Sequence, residues 1–349
     1  MIPLAVALDL AGASAGLVFA TSALGIVPTA ALMGRATEEL AARSGPGVGG
    51  LLNVTFGNAP ELIIALFALG QGLHEVVKAS IVGSIIGNIL LVLGAAMLAG
   101  GIGREKQLFS RVTASVQTSM LLLAAAALLM PAIFELVEGK GLPHPGAELV
   151  DYGGTVEHLS LAVAIVLAVT YVAGLFFSLK THRDIFNPEY VDDETWGWSV
   201  RTAVIALAVA GVLVGVMSEV LVSSIGEASR SIGLSEFFIG VIVVAIVGNA
   251  AEHWVAVLVA MKDKMDLAVN VAIGSSAQVA LFVAPILVFA SFFIGPHPLA
   301  LVFNGFELGA VLLAVLIANY VTQDGESTWF EGLQLLAVYV VFGLAFYYA

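Results

Sequence analysis

Apolar windows of about twenty residues recur along this chain, and the charged residues fall almost entirely between them. Runs of that length cross a bilayer as α-helices, and they lack the alternation that a β-barrel strand would show. Ten spans are predicted, at 12–34, 47–71, 75–99, 112–136, 158–179, 200–225, 236–260, 266–294, 298–320 and 329–348. Residues 2–10 are apolar but too short to cross alone. The expected fold class is an all-α polytopic membrane protein of about ten transmembrane helices.

Composition agrees with that pattern. Of 349 residues, 60% are hydrophobic and 11% charged, where a soluble domain carries about a quarter charged. Mean hydropathy is +1.02. Cysteine is absent, which excludes disulfides, thiolate metal sites and cysteine nucleophiles. A net charge of −13 argues against a nucleic-acid partner. The lipid bilayer is the expected environment.

The loops set an orientation. If the N-terminus lies on side A, loops after odd-numbered spans lie on side B. Side B then holds Arg35, Arg43, Arg104, Lys106, Arg111, Lys180, Arg183, Arg201, Lys262 and Lys264, and side A only Lys78, Lys140 and Arg230. By the positive-inside rule side B is cytoplasmic.

The polar positions inside the spans repeat. "GNAPEL" at 57–62 and "GNAAEH" at 248–253 share Gly57/Gly248, Asn58/Asn249, Ala59/Ala250 and Glu61/Glu252, all 191 residues apart. The same offset joins Glu75 to Asp266, Gly83 to Gly274 and Ser84 to Ser275 without a gap. Five spans separate the copies, and five is odd, so the second copy must be inverted. The expected layout is a short N-terminal segment (1–11), a first five-helix repeat (12–180), a cytoplasmic acidic loop (181–199) and an inverted second repeat (200–349). Inverted repeats are a transporter architecture with the site between them, near the midplane.

A carboxylate at the bilayer centre costs roughly 2.5–3.5 kcal/mol, so two in matched positions point to function. Asn58 and Glu61 share a helix face, as do Asn249 and Glu252. Ser84 and Asn88 lie on the next helix of one copy, Ser275 and Gln278 on its counterpart. This set is oxygen-rich and sulfur-free, suited to a hard cation such as Ca²⁺, Mg²⁺ or Na⁺. Gly57 and Gly248 weaken each helix just before its carboxylate, and Pro60 frees a carbonyl one turn back; broken membrane helices use such carbonyls as ligands. Two carboxylates match a divalent charge. Without the cation two like charges stay close together, and protons relieve the repulsion. Cation and protons thus compete for the same oxygens, the minimal physics of an antiporter. His253 is a proton relay or a hydrogen-bonded packing residue. Glu219 is a candidate pathway acid; Glu38, beside Arg35, is either that or an interfacial ion pair. Glu227 lies near the sixth span, and Glu307, in the ninth, is structural or functional.

"MGRATEEL", "GNAPELIIALFAL", "GSIIGN", "VGNAAEH" and "GSSAQVALFVAP" together resemble the calcium/proton exchanger family (CAX) of the cation/Ca²⁺ exchanger superfamily, from about residue 30 to the end. The resemblance implies export of cytosolic Ca²⁺ driven by inward H⁺, with Ca²⁺ as cargo and no cofactor. It carries the repeat glutamates onto Glu61 and Glu252, the motif asparagines onto Asn58 and Asn249, the flanking polar residues onto Ser84, Asn88, Ser275 and Gln278, and the motif histidine onto His253. It implies a prokaryotic-type cell (inner) membrane. Pro60 leans toward the sodium/calcium cousins, so an H⁺-coupled exchanger of Na⁺, K⁺ or another divalent stays open. A cation channel is a further alternative, although channels more often build pores by oligomeric symmetry. An enzyme is not expected: Ser84 and Ser275 have no histidine near them in sequence, and no HExxH spacing occurs.

Overall fold

The computed structural model describes residues 1–146, 151–181 and 197–349. Most of the 181–199 linker, with its acids at 184–194, lies outside the described residues. The helices are α1 (Ile2–Leu10), α2 (Ala15–Gly57), α3 (Ala59–Gly70), α4 (His74–Gly101), α5 (Arg111–Val137), α6 (Gly154–Thr181), α7 (Val200–Ile232), α8 (Glu236–Met261), α9 (Met265–Ser291), α10 (Gly305–Val321) and α11 (Trp329–Tyr348). Among the described residues, eight stretches are long and apolar enough to cross a membrane; the bent pair Leu51–Gly57 and Ala59–Gly70 makes a ninth. α10 is the tenth apolar helix.

Two predicted boundaries move. Residues 35–46 are not an extended loop: α2 is helical through them, which suits the helix-favouring run "RATEELAAR". The chain nevertheless doubles back. A Cβ placed on Gly49 would overlap the Ala41 carbonyl oxygen, although eight residues of straight helix span about 12 Å. The first two spans are thus arms of one helical hairpin. The ninth span is shorter than predicted. Residues 295–304 are not helical, and α10 starts at Gly305 behind a capping box: Asn304 Oδ1 accepts from the Glu307 N–H, and Glu307 Oε2 accepts from the Asn304 N–H. Glu307 therefore has a structural task. Glu307→Ala is expected to lower stability by about 1 kcal/mol, read as an earlier thermal unfolding transition.

The two central helices are α4 and α9, 83% and 78% buried over their apolar windows, against 22% for α6 and α11. α3 and α8 cross beside them, α2 lies along α7 with α1 against both, and α5, α6, α10 and α11 form the outer layer. Glycines set the closest approaches. A Cβ on Gly83 of α4 would overlap the Val241 carbonyl oxygen of α8, and one on Gly332 of α11 would overlap the Leu98 backbone nitrogen of α4.

α4 and α9 each contain a wide π-helical stretch, Gly87–Val92 and Val279–Val283. These lie at nearly the repeat offset, just beyond Ser84 and Ser275. Such stretches loosen the helical hydrogen-bond ladder and concentrate at functional sites.

Loop contacts sort by parity, as the span count requires. On one face, Gln107 Nε2 donates to the Ala260 carbonyl at 2.9 Å and to Asp263 Oδ1 at 2.9 Å, Arg104 Nη2 donates to the Met261 carbonyl, and the strands β1 (Gln107–Leu108) and β2 (Glu326–Ser327) pair antiparallel. All these loops follow odd-numbered spans. Lys106 bonds Glu326 there at 2.7 Å. The hydrogen bond and charge of that carboxylate push the Lys106 ammonium above its usual range, so on the alkaline side the pair is lost as pH rises through the raised value. On the opposite face, Lys78 Nζ donates to the Val302 carbonyl, the Gly146 N–H to Glu75 Oε1, and the Leu301 N–H to Ser160 Oγ. These belong to loops after even-numbered spans and the helix ends beside them.

Candidate cation site

The first motif sits at a break. α2 ends at Gly57, Asn58 takes φ −90° and ψ 11°, and α3 restarts at Ala59 at an angle of 42° to Leu51–Gly57. Pro60 suits this place: it lacks the N–H that a first-turn residue leaves unused anyway. Glu61 falls in the first turn of α3, where the positive end of the helix offsets part of the penalty of a buried carboxylate. The second motif differs. α8 runs as regular α-helix from Ala245 through Met261, so Gly248 does not break it. Its wide π stretch comes earlier, at Ile239–Val244. The copy without proline stays helical because every residue keeps its backbone donor.

The two motifs cross, each meeting the partners of the other. Asn249 Nδ2 donates to Ser84 Oγ at 3.0 Å, to Glu61 Oε2 at 3.5 Å and to its own helix at the Ala245 carbonyl, 3.0 Å away. Asn58 Nδ2 donates to Gln278 Oε1 at 2.6 Å. Ser275 Oγ donates to Glu252 Oε2 at 2.5 Å, and His253 Nε2 lies 3.2 Å from Asn88 Oδ1. Asn58, Glu61, Ser84, Asn88, Asn249 and Ser275 are buried; Glu252, His253 and Gln278 are partly buried. All nine polar candidates therefore form one constellation across α3, α4, α8, α9 and the break.

The glycines act by closeness. A Cβ on Gly57 would lie 2.9 Å from Glu252 Oε1, and one on Gly248 would lie 3.4 Å from Glu61 Cα and Cβ. Each motif glycine makes room for the glutamate of the opposite copy. In the second copy this replaces the expected role of weakening the helix.

Two oxygens in this constellation, Asn58 Oδ1 and Glu61 Oε1, are buried with no hydrogen-bond partner among the described residues. Buried acceptors of this kind need a donor or a cation. Among the described residues no group of three His, Asp or Glu gathers as a metal site, so the charge here is that of two carboxylates among neutral oxygens.

Glu219 and Glu38 lie elsewhere. Glu219 is exposed on α7, and the half-exposed Glu38 pairs with Arg35 at 3.1 Å. The acid next to it is the buried one. Glu39 Oε1 lies 3.4 Å from Arg35 Nη2, and its Oε2 accepts the Trp198 N–H at 3.2 Å, tying α2 to the start of α7. Adjacent acids in "TEEL" point about 100° apart on a helix, but which one faces protein is not written in two identical letters.

The sequence profile of the sodium/calcium exchanger protein family matches residues 14–180 and 202–348. The chain belongs to that family. Among its relatives, the Ca²⁺/H⁺ antiporter of Aphanothece halophytica is 46% identical over 351 residues, covering 95% of this chain and 90% of that protein. The Ca²⁺/H⁺ antiporter ChaA of Bacillus subtilis is 42% identical, covering 99% and 96%. The solved structure of native YfkE superposes with a TM-score of 0.84 at 39% identity, covering 100% of this exchanger and 97% of YfkE. The crystal structure of the H⁺/Ca²⁺ exchanger CAX, at 18% identity and a TM-score of 0.72, covers 97% and 85% and shares the fold. Together these place this exchanger on the calcium/proton branch of its family, among membrane transporters rather than enzymes.

Proposed function

We propose that this exchanger is a secondary antiporter that exports cytosolic Ca²⁺ in return for inward H⁺, with Glu61 and Glu252 as the shared site. The observation that carries the reading is the crossed constellation. Two carboxylates, one from each copy of the motif, lie among neutral oxygens, each against the other copy's glycine, with two buried acceptor oxygens unpartnered among the described residues. One Ca²⁺ or protons neutralise the pair. The bare site holds uncompensated like charge and is trapped, and that restriction couples the two ions. Asn58, Asn249, Ser84, Ser275, Gln278 and Asn88 supply or orient oxygens. His253, against Asn88, is placed to follow the proton. The architecture is two inverted five-helix repeats, 12–180 and 200–349, in a prokaryotic inner membrane, and the face carrying Arg104 and Lys262 is cytoplasmic.

Competition has a sign. Protons and Ca²⁺ exclude each other at the site, so acidifying the Ca²⁺-binding side is expected to raise the KM for Ca²⁺, by up to about tenfold per pH unit for each proton displaced. Uptake into proteoliposomes with an imposed pH gradient measures this, and collapsing the gradient should stop accumulation. A KM indifferent to pH would sink the shared-site reading. Uptake that ignores the pH gradient and follows Na⁺ would assign the chain to Na⁺-coupled exchange.

A further inference from the structure

A cavity of ≈ 320 Å³ opens between α5, α6 and α9, near the face that carries Arg104 and Lys262, and reaches Gln278. None of its lining residues is charged, and most are apolar. One polar line crosses it. Asn270, Gly274 and Gln278 follow at four-residue spacing along one face of α9. Gln117 of α5 donates from Nε2 to Asn270 Oδ1 at 2.9 Å, and Asn53 and Ser178 also line the wall. Gly274 leaves the space for that pair: a Cβ there would lie 3.4 Å from Gln117 Nε2. Two lining residues carry polar atoms that are buried without a hydrogen-bond partner among the described residues, Gln117 Oε1 and Tyr171 Oη. At its inner end, Gln278 accepts from Asn58, one turn from Glu61.

We propose that this cavity is the vestibule through which a hydrated divalent cation reaches the site, with the Gln117–Asn270 pair as its staging point. The proposal rests on the antiport reading for the identity of the ion. Neutral carboxamides suit this task. Their carbonyl oxygens replace part of a hydration shell, yet they hold the ion weakly enough for it to move on; a carboxylate would trap it. The absence of charge also leaves the competition between cation and protons to Glu61 and Glu252 alone. Gln278 sits at the handover, bonded to Asn58 beside the glutamate.

The chain has no cysteine of its own, so single cysteines report access directly. Gln117→Cys, Asn270→Cys and, at the rim, Ser178→Cys are treated with a membrane-impermeant cationic methanethiosulfonate in sealed vesicles of each orientation. Labelling is expected from the Arg104/Lys262 face only, and Ca²⁺ should slow it at Asn270→Cys. Labelling from the other face, or only by a membrane-permeant reagent as in a lipid-filled groove, overturns the proposal. In transport, Gln117→Leu and Asn270→Leu should raise the KM for Ca²⁺ on that face about three- to tenfold, the worth of one or two neutral hydrogen bonds, with kcat kept. A fall in kcat at constant KM would make the pair a packing contact and sink the staging role. Labelling is also read in the Glu61→Gln background. There, loss of Ca²⁺ transport with labelling intact separates a failure of the vestibule from a failure of the antiport reading.

Discussion

Glu61→Gln and Glu252→Gln are each expected to abolish Ca²⁺-for-H⁺ exchange. Glutamine keeps the shape and the oxygen that accepts from Asn249 or Ser275, so the fold should survive and the change isolates charge. Removing one member of a buried, compensated charge set costs about 3–5 kcal/mol, which is roughly 10²- to 10³-fold or more in cation affinity. The same substitution removes a proton-binding group, so the return leg fails as well. The measurement is Ca²⁺ uptake into proteoliposomes under an imposed pH gradient, with equilibrium Ca²⁺ binding alongside. Ordinary uptake in both variants would show that the two glutamates are not the site.

The second large effect falls on folding. Gly83→Val would drive a side chain into the Val241 carbonyl and, at 2.8 Å, into Ala245 Cβ. The obstacle is backbone in a helix that also carries Glu252, so relief requires α4 and α8 to part. Overpacking of a core costs about 1–3 kcal/mol and occasionally more; a clash with backbone belongs at the upper end. Little monodisperse protein is expected on size exclusion, with an early thermal transition. Gly309→Ala is the control. Nothing lies within 4 Å of its Cβ position, so the helix propensity gain of about 0.8–1 kcal/mol should appear as a small rise in melting temperature. Normal yield and stability for Gly83→Val would contradict the crossing geometry. The repeat partner of Gly83, Gly274, meets only the end of the Gln117 side chain. Gly274→Ala should therefore fold, and it marks a position where one letter serves packing in one copy and open space in the other.

The spans were legible because apolar length is a property of consecutive residues. Pairing of the two motifs was legible because the repeated letters are polar or glycine, where chance matches are rare in so apolar a chain. Contacts between the copies were not. Gly57 does stand at a helix end, whereas Gly248 stands inside a continuous helix; a sequence shows the local backbone effect of glycine but not what stands opposite it. Glu39 differs from Glu38 only in which side of α2 meets Trp198. The shortened α10 followed from a capping box, Asn304 to Glu307, which was there to be read but was hidden by the apolar letters before it. Gln117 and Asn270 come from different helices 153 residues apart. The one local hint was Asn270–Gly274–Gln278 at helical spacing, without any mark of what it faces.

Where the two copies differ, the differences meet. At the repeat offset His253 answers to Leu62, Asn88 to Val279, Gln278 to Gly87 and Pro60 to Ala251. His253 lies against Asn88, and Gln278 holds Asn58 at the break that Pro60 accompanies. A pair of identical half-length chains, opposed in the membrane, would be bound by its twofold axis to carry two histidines or none, and two kinks or none. Joining the halves in one polypeptide lifts that obligation. Each repeated position can differ from its twin, so the surroundings of Glu61 and of Glu252 need not be mirror copies of each other.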